Sequence, residues 1–394
     1  MSIDVRRFLA DQGCPQEVID RATAEGRLAV LVLDHLILPG ERCYTADQVA
    51  ARVDVPREVS NRLWRAMGFP DADADERAFS DTDVTALKQA LAPGLGEADL
   101  DLLVQQTRVV GAATARVAEA VTDAIVRGFS DLAAAGADQD EIAATLADTF
   151  DIDRLGRLLD YVHRRQLLAA MRRRLVGAGV EGRDARVAVG FADLAGFTAI
   201  SQQLGMEELT VLINRFEASS RDLVAGCGGR VVKSIGDEIM FVADDPADAA
   251  DIALTLVELH DGDDVLPPLK VGLDTGEALV LDGDYFGPVV NRASRITELA
   301  RAGTALASPE LRATLEGVDR FRWSDVGRKR IKDIGSTHLW RLRRSRADGE
   351  DDDEELSARE AGRRAVEPVA EVVGGIAKAL TPGRRADDEP GAPG

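Results

Sequence analysis

A change of hydrophobic period near Ala185 divides this chain. Before it, apolar residues recur at helical spacing. "RVAEAVTDAIVRGFSDLAAAG" is alanine-rich and closes on a glycine, and "DEIAATLADTF" repeats the pattern, as helices with one buried face do. After it, "RVAVGFADL", "GGRVVKSIGDEIMFVAD" and "LKVGLDTGEALVLDG" are strand-length runs rich in Val and Ile, broken by glycine turns. Helical stretches, "EELTVLINRFEASSRDLVAG" and "PADAADIALTLVELHD", lie between them. The order strand, helix, hairpin, helix, hairpin, helix predicts an α+β domain round an antiparallel-rich sheet and excludes a parallel α/β repeat.

The 394 residues suffice for two or three domains. Residues 1–150 are read as a helical domain and 151–185 as a connecting helix. The connector, "DIDRLGRLLDYVHRRQLLAAMRRRLVGAG", is amphipathic and closes on basic residues and glycines. Residues 186–345 form the α+β domain. Residues 346–394 are charged and bounded by Pro and Gly, and are expected to be mostly disordered, with a short helix around "EVVGGIAKAL".

Composition excludes several functions. The net charge is -21, and such a chain repels nucleic acid and anionic membranes unless a local basic patch intervenes. Three scattered cysteines, Cys14, Cys43 and Cys227, form no zinc or redox motif, and their odd number argues against a disulfide framework. A reducing cytoplasm is the simplest setting. "MSIDVRRFLADQG" lacks the apolar core of a signal peptide. "LAVLVLDHLIL" holds Asp34 and His35, is too short and polar for a membrane span, and is read as buried core.

One N-terminal segment carries its own signature. In residues 44–88, Tyr44-Thr45 opens a helix, Val55-Pro56-Arg57 marks a turn, and Phe79-Ser80 precedes a last helix. It resembles the winged helix-turn-helix of MerR-type regulators, which implies DNA binding. Charge opposes that function: Glu41 through Lys88 holds seven Lys or Arg against ten Asp or Glu, and a duplex reader needs positive charge at the phosphates. Retention of the fold for packing is the preferred reading, and DNA is not an expected partner.

The chemistry-bearing residues lie in the second half. Asp193 sits at the edge of an apolar strand, followed by the small, flexible Ala195-Gly196. A second acid, Asp237, lies in "VVKSIGDEIMF", read as a strand to Lys233, a turn over Ser234–Gly236, and a returning strand that Asp237 starts. Either acid alone also suits a turn or a cap. Together at one sheet edge they would repel, and a divalent cation with oxygen preference, Mg²⁺ or Mn²⁺, would relieve that. In "GDYFGPVVNRASRI", Asp284 is placed in a loop and a helix starts near Gly287-Pro288. Asn291 and Arg295 then lie four apart on one face, suited to a sugar oxygen and a phosphate, or simply to solvent.

The set FADLxGFT, KxxGD and GDYFGxxVNxxxR resembles the catalytic domain of class III nucleotidyl cyclases from about Arg186 to Arg341. The resemblance implies a ferredoxin-like fold, and a head-to-tail homodimer with active sites at the interface. It implies two divalent cations on Asp193 and Asp237, with Lys233 and Asp284 reading the adenine. Asn291 would orient the ribose and Arg295 stabilise charge at the α-phosphate. Asp284 can accept from the adenine amino group and Lys233 donate to a ring nitrogen, whereas guanine would set an oxygen against Asp284. Guanylyl cyclases of this class carry Glu and Cys there, so the expected substrate is ATP and the expected products are cyclic AMP and pyrophosphate. No Walker loop is present. The backbone at Gly196 and Phe197 is assigned to the phosphates, and Lys332 in "GRKRIKDIG" is the candidate phosphate-binding lysine.

The layout also resembles soluble actinobacterial cyclases with a helical regulatory domain, some of them acid-activated. His163 lies in the connector beside Arg164 and Arg165, and histidine is the side chain whose charge changes most readily between pH 5 and 8. It is the regulatory candidate. The stretch around His35 suits core packing first and a lipid pocket second. Two other readings are a nucleotide-sensing transcription regulator with a non-catalytic cyclase domain, and a guanylyl cyclase.

Overall fold

A computed structural model describes residues 4–91, 97–177, 184–261, 263 and 265–345. The expected tail at 346–394 lies outside them. The chain divides into two compact units, Met1–Arg173 and Arg174–Gly394.

The first unit is helical. It comprises α1 (Val5–Asp11), α2 (Gln16–Ala24), α3 (Leu28–Ile37), α4 (Ala46–Arg52), α5 (Arg57–Met67), α6 (Asp81–Ala90), α7 (Glu97–Ala134), α8 (Gln139–Thr149) and α9 (Ile152–Gly177), which runs on past the unit boundary. Leu9, Ile19, Leu28, Val32, Ala143 and Leu146 close one core. Val49, Leu63, Trp64, Val84, Leu87 and Val104 close another. Thr45 caps α4 through a reciprocal box with Gln48, and Ser80 does the same for α6 with Asp83. Such caps satisfy amides that have no helical partner and contribute about 1 kcal/mol each. The strand-like contact Tyr44–Phe79 ties the two helix starts together.

The run "LAVLVLDHLIL" is less buried than its composition predicts. Leu28 and Val32 are buried, but Val30, Ile37 and Leu38 are exposed. A helix offers only one face to a core. Leu36 and Ile37 instead border a cavity of about 740 Å³, which Phe8, His35, Phe150 and Arg157 also line.

The second unit is the α+β domain. Its elements are β1 (Asp184–Leu194), α10 (Phe197–Ser201), α11 (Met206–Gly226), β2 (Arg230–Ile235), β3 (Glu238–Ala243), α12 (Pro246–His260), β4 (Leu269–Leu281), β5 (Asp284–Phe286), α13 (Pro288–Leu299), β6 (Thr304–Ala307), α14 (Pro309–Thr314), β7 (Phe321–Ile331) and β8 (Gly335–Arg344). The sheet order is β2-β3-β1-β4-β6-β8-β7, with β5 on β4. All these pairs are antiparallel except β4 with β6.

Both faces of β1 are covered, and its side chains alternate between them. Ala188, Ala192 and Leu194 join the core that Leu212 and Phe216 of α11 and Ile252 of α12 complete. Val187, Val189 and Phe191 join the other core, with Val289, Val290 and Ala293 of α13. Helix α13 lies hard against β4. A Cβ on Gly272 would come within 2.3 Å of the Thr297 amide nitrogen and 2.6 Å of the Ala293 carbonyl oxygen, so only glycine allows that approach.

Candidate active site

Asp193 is the penultimate residue of β1, a strand flanked on both sides. Its register partners are Glu238 of β3 and Lys270 of β4. The Lys270 ammonium is ion-paired with the Asp193 carboxylate. Asp237 occupies a two-residue hairpin turn with Gly236, since Ile235 pairs with Glu238. It therefore precedes the returning strand rather than starting it. Gly236 takes a left-handed φ of 64°, which a tight two-residue connection needs and glycine supplies. The turn lies beside the end of β1, where the Leu194 amide donates to the Asp237 carbonyl at 3.2 Å.

The two carboxyls are in hydrogen-bond contact. Burial and this contact with Asp193 push the Asp237 carboxyl up to about 6. Burial, reinforced by the charges of Asp193 and Asp237, pushes Glu238 up to about 7. The Lys270 ammonium offsets part of the negative charge of these carboxyls. Hard oxygen donors with excess negative charge fit Mg²⁺ or Mn²⁺. Among the described residues no group of three or more His, Cys, Asp or Glu converges to hold a metal ion; a cation on Asp193 and Asp237 would need further oxygens from outside that pair.

After Asp193, Gly196 takes a left-handed φ of 76° and starts α10. The Phe197 and Thr198 amides open that helix and have no partner within it. A Cβ on Gly196 would meet nothing within 4 Å, so the turn, rather than crowding, calls for glycine there.

Lys233 of β2 donates to Asp284 Oδ2 at 2.6 Å. Asp284 does not sit in a loop. It opens β5 across a tight turn from Leu281, in which Asp282 and Gly283 both take positive φ. Asp-Gly is the favoured pair for such a hairpin. Its other oxygen, Oδ1, accepts from the Tyr285 amide at 2.8 Å.

Gly287 breaks the backbone at φ 134° and Pro288 opens α13. Asn291 is exposed on that helix, and Arg295 is partly exposed and ion-paired with Glu298. Lys332 lies exposed in the β7–β8 turn. Strand β7 is at the opposite end of the sheet from β2, so the fold does not bring Lys332 beside Lys233. His163 is exposed on α9, and its neighbour Arg164 is held by Asp160 at 2.8 Å.

Residues 180–343 match the adenylate and guanylate cyclase catalytic domain. An adenylate cyclase of Streptomyces coelicolor is 41% identical over 291 residues, covering 73% of this chain and 75% of that protein. This chain belongs to the class III adenylate and guanylate cyclase family. A pH-sensitive adenylate cyclase of Mycobacterium tuberculosis is 32% identical, with 86% of each chain covered. Among solved structures, the adenylyl cyclase CyaB from P. aeruginosa is 24% identical, with 42% of this chain and 98% of that chain covered and a TM-score of 0.37. By its relatives the protein is a cyclase-family enzyme, its α+β domain preceded in the chain by a helical unit, and the family works with divalent metals. No helix among the described residues is long and apolar enough to cross a membrane.

Three features of this cyclase site escaped sequence reasoning. Lys270 is ion-paired with Asp193 from 77 positions away in the chain. Glu238, next to Asp237, opens the apolar strand β3 and pairs in register with Asp193. The buried pair of Asp274 and Arg292, whose carboxylate and guanidinium meet at 2.5 Å, joins β4 to α13. The signal for the last was Asp274 itself, an acid within the otherwise apolar run of "LKVGLDTG".

Proposed function

We propose that the protein is an adenylyl cyclase that converts ATP to 3′,5′-cyclic AMP and pyrophosphate. The observation that carries this reading is the Asp193–Asp237 pair, two carboxyls in hydrogen-bond contact at the end of a central strand. Such a pair is costly without a cation. In the proposed site Asp193 and Asp237 hold two divalent ions, Mg²⁺ or Mn²⁺. When bound, these ions acidify the ribose 3′-hydroxyl and neutralise the leaving phosphates.

The chain's own groups do the rest. Asp284 accepts from the adenine amino group, and Lys233 donates to a ring nitrogen. Asn291 orients the ribose so that its 3′-oxygen faces the α-phosphorus. Arg295 places positive charge where the pentavalent transition state becomes more negative. The Phe197 amide and the turn at Gly196 meet the phosphates. Asn291 is exposed and Arg295 partly exposed in the single chain, in keeping with a head-to-tail homodimer whose interface completes each site. Lys332, at the far end of the sheet from Lys233, is proposed to reach the triphosphate in that assembly.

The helical unit is proposed to regulate the enzyme. Its cavity of about 740 Å³, apolar at Phe8, Leu36 and Phe150 and polar at His35 and Arg157, supports a lipid as one modulator. The likeness to a pH-sensitive cyclase and the place of His163 on α9 support pH as another. His163→Ala in the full chain should alter the pH–activity profile. An unchanged profile would clear His163. The segment at 44–88 is proposed to pack rather than bind DNA. Arg57, Arg62 and Arg65 are already engaged by Asp47, Asp101 and Asp71. Three free cysteines support a cytoplasmic setting.

The test is turnover by the purified full chain with Mg²⁺ or Mn²⁺ and either ATP or GTP. Cyclic AMP and pyrophosphate in equal amounts are expected from ATP, with GTP at least ~10-fold slower. Equal or faster use of GTP would make it a guanylyl cyclase. Nucleotide binding without either product would make it a sensor.

A further inference from the structure

Helix α13 carries Asn291 and Arg295, and between them in sequence stands Arg292, a residue with no role in the proposed chemistry. Its Nε donates to Asp274 Oδ2 at 2.5 Å. Its Nη1 lies 3.4 Å from Glu310 of α14. Asp274 is completely buried in the middle of β4. Its Oδ1 accepts from the Thr275 amide at 2.8 Å, and the Ser308 hydroxyl bonds the same carboxyl. The partners of the carboxylate thus lie on β4, on α13 and at the N-cap of α14.

A buried ion pair is weak evidence for stability, because desolvation offsets its attraction. The packing of α13 does not need it. Val289, Val290 and Ala293 already seat the helix on one core, and Ile296 on another. Gly272, two residues before Asp274 and on the same face of β4, sets how closely the helix approaches. These apolar contacts fix the distance of α13 from the sheet but are not directional. Thr297 Oγ1 donates to the Phe191 carbonyl at 3.3 Å near the C-terminal end of the helix, and Arg292 supplies the directional tie in the turn that carries Asn291 and Arg295. The guanidinium–carboxylate bond is directional.

Successive helical residues are about 100° apart. Arg292 is therefore about 100° round the axis from Asn291 and about 60° from Arg295. With Arg292 bonded to Asp274, both other side chains leave the helix in set directions. A rotation of about 10° would move the tip of an arginine by about 1 Å, and a misplacement of that size can cost about 100-fold in rate.

We infer that Asp274 and Arg292 are positioning residues, a rotational lock that aims Asn291 and Arg295 at the nucleotide. The inference rests on the cyclase reading above. It requires that the lock affect chemistry more than binding, since Lys233 and Asp284, which read the base, stand on other elements.

The test separates aiming from stability. In the full chain, Asp274→Asn and Arg292→Met should each lower kcat about 100-fold while KM for ATP changes less than about threefold. Arg292→Lys, which keeps the charge but loses the planar fork, should recover only part of the loss. The double variant Asp274→Leu/Arg292→Met removes both charges and fills the space. It should unfold within a few degrees of wild type, as apolar replacements of buried pairs do, yet keep the low kcat. A double variant with wild-type kcat would overturn the lock and leave the pair a stability element. A rise in KM with unchanged kcat would also overturn it. Wild-type turnover is measured first: its absence overturns the cyclase reading and the lock with it, whereas its presence leaves the double variant to decide on the lock alone.

Discussion

The Lys233 ammonium of β2 and the Asp284 carboxylate of β5 meet at 2.6 Å, although β2 pairs only with β3 and β5 only with β4. Each holds the other in place before any base arrives. Asp284 is also fixed by the Tyr285 amide, so one acceptor is left to trade its lysine for an adenine amino group. Lys233→Ala or Asp284→Ala should lower kcat/KM for ATP about 100-fold. The double change Lys233→Glu/Asp284→Cys should shift preference towards GTP. Rates with both nucleotides check this, and an unchanged ATP preference in the double variant would show that the base is read elsewhere.

Asp193→Ala and Asp237→Ala should each reduce turnover at least ~1,000-fold with either Mg²⁺ or Mn²⁺. Asp237→Ala should not lower the unfolding temperature much, because it relieves the contact between two carboxyls, whereas Asp193→Ala also removes the partner of Lys270 and should lower it by a few degrees. Turnover and thermal unfolding on the same samples decide it. Near wild-type turnover in either variant would end the two-metal assignment.

Sites shared between two chains predict complementation. Asp193→Ala and Arg295→Ala are each expected to be inactive but to spoil different halves of a site. Mixed heterodimers should recover one intact site, up to about half of the wild-type activity per dimer. If heterodimers form and stay inactive, each protomer holds its own complete site.

The contribution of His260 to the stability of the catalytic unit should fall in acid. This ring is buried at the end of α12 with its edge towards Phe216. Burial holds its pKa below the ordinary histidine value, against the pull of the nearby Asp263 carboxylate. The unfolded chain then binds the proton more readily, at an ordinary pKa near 6.5. Stability is therefore present above about pH 6.5 and is lost as pH falls below it, by at most about 1.4 kcal/mol per pH unit. Asp237 and Glu238, whose carboxyls are pushed up to about 6 and about 7, act in the opposite sense over this range. The His260 contribution is therefore read as the difference between the denaturant midpoints of wild type and His260→Leu from pH 5 to 8, which should shrink as pH falls. An equal slope in the variant would assign the acid sensitivity to other groups.

Local rules made much of this protein readable. Thr45 and Ser80 are helix caps as their positions suggest. The α+β domain and α13 begin close to where the change of period and Gly287-Pro288 predict. Errors arose where one or two residues decide the geometry. Gly236-Asp237 makes a tighter turn than Ser234–Gly236 would, and Asp282-Gly283 turns Asp284 into a strand. What stayed hidden was pairing at a distance. Nothing local to Lys270 announces Asp193, because only the register of β4 against β1 brings them level. Arg292 reads as an ordinary surface arginine until Asp274 is known to lie beneath it.

Asp193 shares one rung of the sheet with Glu238 and Lys270. Side chains alternate faces along a strand, so a slip of a single residue would present Ala192 or Leu194 at that rung and turn the acid to the opposite face. Such a mispaired chain would still hold a sheet and a hydrophobic interior. It would be silent as a catalyst. Activity in this enzyme is thus sensitive to folding fidelity at the level of one hydrogen-bond step, and every active molecule in a refolded sample has its central strand in frame.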